Sequence, residues 1–528
     1  GVARAFLSEV PLMSEFPSPA PLLPEILALH GCWRAERDAV IAGDTRISWA
    51  DFVADNHRFA HGLRAAGVRS GDRVGVFMAN GYPMLTTLFG ILVSGAASVP
   101  LNTSVSDDAT VAMLTDADIS ALVVSAVHRE RFASLMDHLP DGILFICDEA
   151  APGWRCLNDL QRDQPAHAPT LDLAGDSPLN IIYSSGTTGL PKGILHTHGG
   201  RRDWAYDLAI ALRYHGAVRT LLTIGLYSNI SWVAMLCTLL AGGTLIIHER
   251  FDADAFLDTV EREGVTHTAM VPIQFQRVVD AQKTGPRRLA TMQAMMSCGS
   301  PLHEGLKRDI FATFPCGIIE LYGLTEGIIT TLDPEDAEGR WASVGKPLLG
   351  TDIRIISDDD RACASGVSGE IVSRGRITMP GYWRREDANR DASYVDDDGV
   401  VWLRSGDIGY LDAQGFLYIV DRKKDMILSG GQNIYPQDIE AVLVEHDLVD
   451  DAAVIGVPSE RWGETPLALV VSKVPAFDLS ELLSWANARL GRQQRLVDCI
   501  AVDELPRNPN GKILKRELRQ IYGDKRYA

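Results

Sequence analysis

Short runs of apolar and β-branched residues alternate with helical segments through most of the chain up to about residue 420. Residues 73–78 read as a strand, residues 82–92 as a helix and residues 97–101 as a second strand. Further strands are predicted at 121–125, 142–146, 243–248 and 267–271. This alternation is typical of βαβ units, because two parallel neighbouring strands need a long crossover between them. The pattern therefore predicts parallel sheets covered by helices.

The pattern changes near residue 352. Strands predicted at 352–356, 369–373 and 415–420 are separated by Gly and Asp turns, which indicates a β-rich subdomain. A last unit follows, with helices predicted at 435–445 and 479–490 and strands at 451–457 and 467–471. The predicted fold is α/β: a large N-terminal portion of βαβ subdomains plus a β-rich subdomain, followed by a small α+β C-terminal domain.

Composition narrows the classes of function. The 528 residues predict three or four compact units at roughly 150 residues per domain. With 50 Lys and Arg against 69 Asp and Glu, the net charge of −19 disfavours nonspecific binding to nucleic acid or anionic membranes. The longest apolar stretches, 91–100 and 232–240, are too short to span a bilayer, and five prolines between residues 11 and 24 argue against a signal peptide. Eight cysteines without metal-ligand spacing are typical of reduced thiols, so we expect a cytoplasmic protein.

The sharpest local feature is a loop of hydroxyls and glycines between residues 184 and 192, which follows a predicted strand at 179–183. Glycines let backbone N–H groups approach an anion, hydroxyls add neutral donors and Lys192 adds a positive charge. The candidate phosphate-binding residues are Ser184, Ser185, Gly186, Thr187, Thr188, Gly189 and Lys192. The order differs from that of a Walker loop because no Ser or Thr follows the lysine. Alone, the pattern also fits a Gly/Ser loop without a ligand.

Three further motifs carry polar residues suited to a nucleotide. In the segment 322–326, Thr325 and Glu326 offer a hydroxyl and a carboxylate to a metal–phosphate unit, since Mg²⁺ takes carboxylates together with phosphate oxygens. Asp407 stands beside a glycine, and an ionised carboxylate can accept hydrogen bonds from two ribose hydroxyls. Lys512 lies in a Pro/Asn/Gly loop, an unusual place for a lysine that only covers a helix.

Together these motifs resemble those of the adenylate-forming superfamily of acyl-CoA synthetases, aryl-CoA ligases, beetle luciferases and peptide-synthetase adenylation domains. The resemblance extends from about residue 49 to residue 512, with the motifs in the family's order. It implies an N-terminal adenylation core, residues 1–423, with the ATP and acid sites, and a mobile C-terminal lid domain, residues 424–528. It also implies ATP, Mg²⁺ and coenzyme A as cofactors.

The resemblance also implies a role for each matching residue. The catalytic set is Lys512, Thr188, Glu326 and Lys192, with Glu326 on the metal. Lys192 belongs to the loop on the β- and γ-phosphates, and Lys512 bridges the acid and the α-phosphate. The other implied contacts are Thr325 on the α-phosphate, Gly299, Ser300, Glu320, Leu321, Tyr322 and Gly323 around the adenine, Asp407 on the ribose with Arg422 beside it, Lys424 at the hinge, and Gly430 and Gly431 on the coenzyme A pantetheine.

The implied reaction activates a carboxylate, which is a poor electrophile because it is charged and resonance-stabilised. The carboxylate attacks the α-phosphorus of ATP and releases pyrophosphate, and the thiol of coenzyme A then displaces AMP from the acyl-AMP. This chemistry mainly needs positioning and neutralisation of like charges. In the family, rotation of the small domain replaces the Lys512 face with the Gly430–Gly431 face between the two steps.

The resemblance also predicts where the acid binds. The candidates are Trp204, Tyr227, Ser228, Asn229, Ile230, Trp232, Cys298, Leu321, Gly323, Ile328 and Ile329. This lining is mostly apolar and uncharged, and no Asp lies at 226–232 to pair with an α-ammonium group. Ser228 replaces the His or aromatic residue of many members. Leu321 replaces the Gly of many long-chain and coumarate-type members, as in benzoate-type ligases. We therefore expect a compact acid with an uncharged body: aryl, alicyclic or medium-chain. Trp204 and Trp232 each fit core packing equally well, and Cys298 lacks an activating base.

The acceptor is less well determined by the sequence. No carrier-protein domain follows the last motif before Ala528, which favours a ligase that uses free coenzyme A. An aryl acid–AMP ligase that loads a separate carrier protein remains an alternative, because such members often have an Asn at the position of Asn229. A nucleotide-binding protein without catalysis is a second alternative, although the intact lysine and carboxylate motifs argue against it. The expected partners are a small carboxylic acid and coenzyme A, and the sequence leaves a homodimer open.

Overall fold

A computed structural model describes residues 20–184, 191–429, 432–475, 477–492, 494–508, 511–525 and 527. Within these ranges the longer strands form four sheets. No helix in the same ranges combines the length and the apolar character that a membrane crossing requires.

The two largest sheets are built mainly from the strands that precede residue 351. In chain order these strands are β1 Asp38–Ala42, β2 Thr45–Ser48, β3 Arg73–Phe77, β4 Ala97–Pro100, β5 Ala121–Val124, β6 Leu144–Cys147, β7 Arg155–Cys156, β8 Pro178–Tyr183, β9 Gly193–Thr197, β10 Arg219–Leu222, β11 Thr244–Ile247, β12 His267–Met270, β13 Ala294–Ser297, β14 Ile319–Gly323, β15 Ile329–Leu332 and β16 Lys346–Pro347.

Helices occupy most of the connections between these strands. They are α1 Leu23–Trp33, α2 Trp49–Ala65, α3 Tyr82–Ser94, α4 Asp107–Ala117, α5 Arg129–Ala133, α6 Leu157–Gln161, α7 His198–Ala211, α8 Asn229–Ala241, α9 Ala253–Glu263, α10 Pro272–Thr284 and α11 Glu304–Thr313, with 3-10 turns at Ala126–His128, Met136–His138 and Pro334–Asp336.

An antiparallel region follows. Its elements are β17 Thr351–Ile356, β18 Gly369–Gly375, β19 Gly381–Tyr382, β20 Ser393–Val395, β21 Val401–Leu411 and β22 Leu417–Arg422, with helix α12 Glu386–Asp391. Strands β17, β18, β20, β21 and β22 form one antiparallel sheet. Strand β19 leaves this region and pairs with β9, which joins it to the hairpin of the predicted phosphate loop.

Strand pairing confirms the βαβ prediction. The eight-stranded sheet has the order β19-β9-β8-β4-β3-β5-β6-β7, and the nine-stranded sheet has the order β16-β15-β14-β13-β12-β10-β11-β1-β2. Strand β3 is parallel to β4 and β5, and β10 is parallel to β11 and β12. Parallel strands align their carboxyl ends at one sheet edge, which is where α/β proteins bind ligands.

The last unit is the small α+β domain that the sequence predicts. It contains β23 Ile427–Ser429, β24 Gln432–Ile434, β25 Val449–Ser459, β26 Gly463–Ser472 and β27 Asp498–Ala501, and helices α13 Pro436–Val444, α14 Leu479–Asn487 and α15 Lys515–Tyr522. It has its own buried cluster, which includes Leu443, Val454 and Leu482.

The predicted elements differ from the observed ones mainly at their ends, and the causes are local. Strand β6 begins two residues after the predicted start at Gly142, because Gly142 has φ +85° and forms a turn. Helix α14 ends before the predicted residue 490. The Asn487 side chain donates to the carbonyl of Leu496 at 3.0 Å and accepts from its N–H at 2.8 Å, which turns the chain back.

Packing between α2 and α3 shows how tightly the core holds this framework. Helix α3 is apolar on nearly all sides, and its residues from Met84 onward are buried. At Gly90 an added Cβ would lie 2.6 Å from the Phe59 ring, so the two helices approach to a distance that only glycine allows. The sheet edges that carry the candidate site are therefore fixed by a close-packed core.

Candidate functional site

The phosphate loop joins β8 to β9, and its two ends are hydrogen-bonded to each other. The N–H of Ser184 donates to the carbonyl of Lys192 at 3.0 Å, and the Lys192 N–H donates to Ser184 Oγ at 3.4 Å. The predicted phosphate contacts between these ends, Ser185, Gly186, Thr187, Thr188 and Gly189, lie outside the described residues. The hairpin therefore places Lys192 at the base of the loop.

Lys192 and Glu326 lie on either side of one tyrosine ring. Lys192 Nζ is 5.0 Å from the ring centroid of Tyr382, whose hydroxyl donates to Glu326 Oε1 at 2.9 Å. Burial, and then the Glu326 carboxylate, raises the pKa of Tyr382, so its hydroxyl remains a proton donor. Sequence reasoning missed Tyr382, since the local signal is a Pro-Gly turn, which predicts no chemical role.

The turn after β14 is fixed by main-chain hydrogen bonds. Leu324 N–H donates to the Ile328 carbonyl at 2.9 Å, and the Thr325 carbonyl lies 2.9 Å from His196 Nε2. His196 is buried on β9, and burial, followed by the charge of Arg201, lowers its pKa well below the usual value, so the ring is neutral. The turn therefore presents Thr325 and Glu326 in one orientation beside the phosphate loop.

The carboxyl ends of β13 and β14 form the predicted adenine region. Ser297 pairs with Glu320 in the parallel register, so Gly299 and Ser300 emerge beside Leu321, Tyr322 and Gly323. Gly299 has φ +96°, a conformation that favours glycine. The main chain of both strands thus reaches one edge, as the prediction requires.

The side chain of Glu320 is not available to a ligand. It forms an ion pair with Lys307, and both side chains are nearly buried. Burial raises the pKa of Glu320, and the charge of Lys307 opposes that rise. Its implied role at the adenine therefore rests on its main chain alone. Lys307, on α11, was not among the predicted residues.

Asp407 is held by two partners. It lies opposite Arg422 in the antiparallel register of β21 and β22, and Arg422 Nε is 3.3 Å from Asp407 Oδ1. The Tyr322 hydroxyl donates to Asp407 Oδ2 at 2.6 Å. The carboxylate is buried and fixed, so it can accept ribose hydroxyls without first being ordered.

The last motif brings Lys512 to this same group. Burial, and then the charges of Arg422 and Lys424, lower the pKa of Lys512 to about 7, while Asp407 and Asp425 act in the opposite direction. The Lys512 N–H donates to Asn508 Oδ1 at 2.9 Å, which shapes the loop. An added Cβ at Gly511 would lie 3.5 Å from Val271, so the loop packs against the N-terminal portion. The C-terminal domain therefore presents its Lys512 face to the nucleotide region.

The segment predicted to meet the pantetheine belongs to a partly exposed hairpin of the C-terminal domain. Strands β23 and β24 form a hairpin in which Ser429 pairs with Gln432, and Leu428 beside it is 53% exposed. The predicted pantetheine contacts Gly430 and Gly431 lie outside the described residues. Lys424 lies in the exposed turn between β22 and β23, where the chain passes from one sheet to another.

Most predicted acid-pocket residues belong to one buried cluster. The members are Trp204, Ile230, Trp232, Cys298, Leu321 and Ile329, with Tyr227 packed against them. Gly323 adjoins them, since an added Cβ there would lie 3.1 Å from Ile329. Burial raises the pKa of Cys298 to about 12, which agrees with a wall residue that is not a nucleophile.

Three of the predicted pocket residues have other functions. Ile328 packs with Ile194 and Ile353 in a separate cluster, because neighbours in an extended chain point to opposite faces and Ile329 faces the pocket. The Ser228 hydroxyl caps α8 by accepting from the Ile230 N–H at 3.3 Å. Trp232 is fully buried and stacks on a core phenylalanine. The contacts of these three residues are therefore explained by packing and capping, and their places in the acid pocket stay predictions.

A charged residue that the sequence did not predict contacts two of the predicted acid-pocket residues. Arg201, on α7, is 1% exposed and lies against the rings of Trp204, at 4.4 Å, and Trp232, at 5.6 Å. Its Nη2 donates to Asn229 Oδ1 at 2.8 Å. The helical period could have revealed it, because residues 201, 204, 205 and 208 share one buried face. A charged group therefore lies within the predicted acid region.

The donor set near the phosphate loop suits Mg²⁺. Glu326 Oε1 accepts from Tyr382, which leaves Oε2 for a metal. In the part of the chain that the structure describes, no group of three or more His, Cys, Asp or Glu side chains could hold a metal ion. Mg²⁺ commonly takes one or two carboxylates and completes its shell with phosphate oxygens and water, so a single carboxylate fits.

Comparisons with known proteins agree with this geometry. The family model of the AMP-binding enzyme matches residues 32–383, and that of the AMP-binding enzyme C-terminal domain matches residues 438–512. A feruloyl-CoA synthase of Amycolatopsis sp. is 34% identical over 494 residues, 92% of this chain and 96% of that protein. A long-chain-fatty-acid–CoA ligase of Mycobacterium tuberculosis is 33% identical over 486 residues, 91% and 94% of the two chains. The solved structure of o-succinylbenzoate CoA synthetase from Bacillus subtilis, with its acyl-adenylate intermediate, has a TM-score of 0.83 at 28% identity and covers 95% of this chain and 99% of its own.

Proposed function

The chain belongs to the AMP-binding enzyme family and is an ATP-dependent, AMP-forming acid–CoA ligase, and we propose how its residues divide the two half-reactions. In the first, the acid carboxylate displaces pyrophosphate from the α-phosphorus of ATP and gives acyl-AMP. In the second, the thiol of coenzyme A forms the thioester, loses its proton and releases AMP.

The observation that carries the assignment is the convergence of four separate motifs that belong to three different sheets and to a loop of the C-terminal domain. Lys192 and Glu326 contact the same tyrosine, while Asp407 and Lys512 share Arg422 as a charged neighbour. Lys512 neutralises the reacting carboxylate and the α-phosphate, and Lys192 neutralises the departing pyrophosphate. Such fixed charges act strongly on phosphoryl chemistry because they need no reorganisation during the reaction.

Glu326 would hold Mg²⁺ through Oε2, and the metal would add Lewis-acid charge neutralisation at the phosphates. Tyr382 keeps the carboxylate oriented through Oε1 and remains protonated while doing so. Tyr322 and Arg422 hold Asp407 in place for the ribose. These residues act by orienting the nucleotide, so their loss should raise the KM for ATP more than it lowers turnover of bound substrate.

The division into residues 1–423 and 424–528 is part of the proposal. Lys424 lies in the turn between the sheets of the two parts, and Lys512 faces the nucleotide region. Rotation about Lys424 would withdraw Lys512 and bring the segment 429–433 toward the acyl group. That segment would then serve thioester formation.

We expect a compact acid with an aryl or alicyclic body. Leu321 and Ile329 close one end of the buried cluster, where a Cβ at Gly323 would already lie within 3.4 Å of Leu321. Two of the similar proteins carry names of aryl-acid ligases, for ferulate and o-succinylbenzoate. Medium-chain acids remain in the range to be tested. The homodimer and the cytoplasmic location stay predictions from the sequence.

A pyrophosphate-release screen tests the proposal. Aryl, alicyclic and fatty acids are offered with ATP and Mg²⁺, first without coenzyme A and then with it. Acid-dependent pyrophosphate and a hydroxylamine-trappable acyl-AMP are expected, followed by thioester when coenzyme A is present. Acyl-AMP that never reacts with free coenzyme A would instead support loading of a carrier protein. No acid-dependent pyrophosphate from any acid would contradict ligase activity altogether.

A further inference from the structure

Arg201 is a buried cation for which the structure supplies no carboxylate. Its Nη2 contacts Asn229 Oδ1 at 2.8 Å and His196 Nδ1 at 3.2 Å, and its Nε donates to Asn180 Oδ1 at 3.4 Å. All three partners are neutral. Asn180 and Asn229 carry uncharged amides, and burial keeps His196 unprotonated. Desolvation of an unpaired charge is costly, and neutral hydrogen bonds replace only part of the lost hydration.

The acidic residues of helix α7 do not neutralise this charge. Asp203 pairs with Arg202 at 2.9 Å, and Asp207, which is buried, pairs with Arg376. Desolvation alone accounts for the lowered pKa of Arg201, about 9, so the guanidinium remains charged at neutral pH. The charge therefore persists in the folded protein without a counter-ion among the described residues.

The same place has hydrogen-bond donors without acceptors. Arg201 Nη1, Asn180 Nδ2 and Trp232 Nε1 are buried and have no hydrogen-bond partner in the part of the chain that the structure describes. The Thr378 hydroxyl is also buried without a partner among the described residues, and with Arg201 and Trp204 it lines a cavity of about 20 Å³, which has room for one small acceptor about the size of a water molecule. Buried polar groups in native proteins are normally satisfied, so an unpaired set of this kind calls for an added acceptor.

The location connects this site to the reacting end of the acid. Trp204 and Asn229, which contact Arg201, both belong to the predicted acid lining. The His196 ring lies between Arg201 and the Thr325 carbonyl. Its Nδ1 is 3.2 Å from Arg201 Nη2, and its Nε2 is 2.9 Å from the Thr325 carbonyl oxygen. An anion on Arg201 would therefore lie about one imidazole ring away from the turn that carries Glu326.

We infer that the acid is a compact dicarboxylic acid, and that Arg201 is the specificity residue that binds its second carboxylate. The inference rests on the proposed ligase function. It replaces the expectation from the sequence that the acid carries no charge apart from its reacting carboxylate. A guanidinium binds a carboxylate through parallel N–H donors, and Nη1 is the donor left for it. Because only the His196 ring lies between Arg201 and Thr325, the two carboxyl groups of the acid should be separated by only a few bonds.

The wild-type enzyme gives the first test. Succinate, glutarate, phthalate and homophthalate are each compared with the matching monoamide, which has nearly the same shape but lacks one charge. We expect at least one diacid to exceed its monoamide about 10- to 100-fold in kcat/KM for pyrophosphate release, because a charge-assisted hydrogen bond is lost in the amide. If pyrophosphate is released from these or other acids but no diacid exceeds its monoamide, the inference is overturned.

Two variants on α7 give the second test. Arg201→Met should bring the diacid-to-monoamide ratio to about 1, mainly by raising the KM of the diacid. Arg202→Met, which removes an arginine already paired with Asp203, is the matched control and should leave the ratio unchanged. A purely structural Arg201 would lower both acids equally and leave the ratio intact, which would contradict the inference.

The two hypotheses fail separately. If no acid of any class releases pyrophosphate, the ligase function itself is wrong. If monocarboxylic acids are activated and diacids are not preferred, the ligase function stands and the role of Arg201 is wrong. If Arg201→Met does not fold, the wild-type comparison of diacid with monoamide still decides.

Discussion

The nucleotide end and the acid end of the site each hold a desolvated cation, but of different kinds. Lys512 has a pKa lowered to about 7, so it can lose its proton before ATP arrives. Arg201 has a pKa of about 9 and stays charged at neutral pH. At the nucleotide end the buried carboxylate of Asp407 is hydrogen-bonded by Tyr322 and ion-paired with Arg422.

This difference shows two ways to prepare a site for an anion. An amine that can release its proton avoids part of the desolvation cost of a buried charge while the site is without ligand. A buried guanidinium instead stays charged whether or not a ligand is bound. The first suits a residue that enters and leaves with the domain rotation proposed above. The second suits a fixed pocket wall that must discriminate between acids. The expectations below separate these two behaviours, beginning with the largest effect.

Removing the Lys512 cation should have the largest effect. Lys512→Ala should lower acid-dependent pyrophosphate release about 1000-fold, because a preorganised charge at the reacting phosphate is lost. Thioester formation from supplied acyl-AMP should remain, because in the proposed rotation the segment 429–433 serves that step and Lys512 does not. Lys473→Ala, on the exposed surface of the same domain, is the control. Equal loss of both half-reactions would contradict the separation of the two faces.

Blocking the rotation should produce the reverse pattern. Lys424→Pro fixes φ in the turn between the two sheets and should lower thioester formation from acyl-AMP about 100-fold, while pyrophosphate release persists. The neighbouring exposed Lys423→Ala tests whether loss of a charge in this turn has the same effect. Unchanged coenzyme A turnover in the proline variant would remove Lys424 as the hinge.

The sequence predicts the nucleotide end better than the acid end, for a physical reason. Glu326, Asp407 and Lys512 lie in short motifs whose local spacing already indicates their chemistry. Their partners come from distant strands, such as Tyr382, which follows Glu326 by 56 residues, so only the folded pairing brings them together. The choice between Ile328 and Ile329 likewise depends on which face of the strand is buried.

Arg201 shows why the acid end was harder to predict. A charged residue in a sequence is usually exposed, so an arginine beside another arginine is read as surface. Its burial depends on α7 packing against α8 and the eight-stranded sheet, which sets the neutral partners Asn180 and Asn229 around it. The fold class and the parallel sheets covered by helices were predictable from alternation. The electrostatics of the pocket were not.

Stability should also distinguish a paired from an unpaired buried charge on α7. Arg376→Met leaves the buried Asp207 without its partner and should lower the free energy of unfolding by about 1–3 kcal/mol. Arg201→Met removes a charge without a counter-ion and should change it by less than about 1 kcal/mol, measured without ligand by urea unfolding. An equal loss in both variants would show that neutral partners satisfy Arg201.

The pH dependence should give the smallest effect and test the Lys512 cation directly. Because the pKa of Lys512 is lowered to about 7, the protonated fraction in the free enzyme falls above that pH. kcat/KM for ATP should therefore fall about fivefold between pH 7 and pH 8, since this parameter reports ionisations of the free enzyme. Lys512→Arg keeps its charge and should show no such fall over the same range. A wild-type profile that stays flat to pH 9 would mean that Lys512 remains charged without ATP, and that both ends of the site hold a permanent cation.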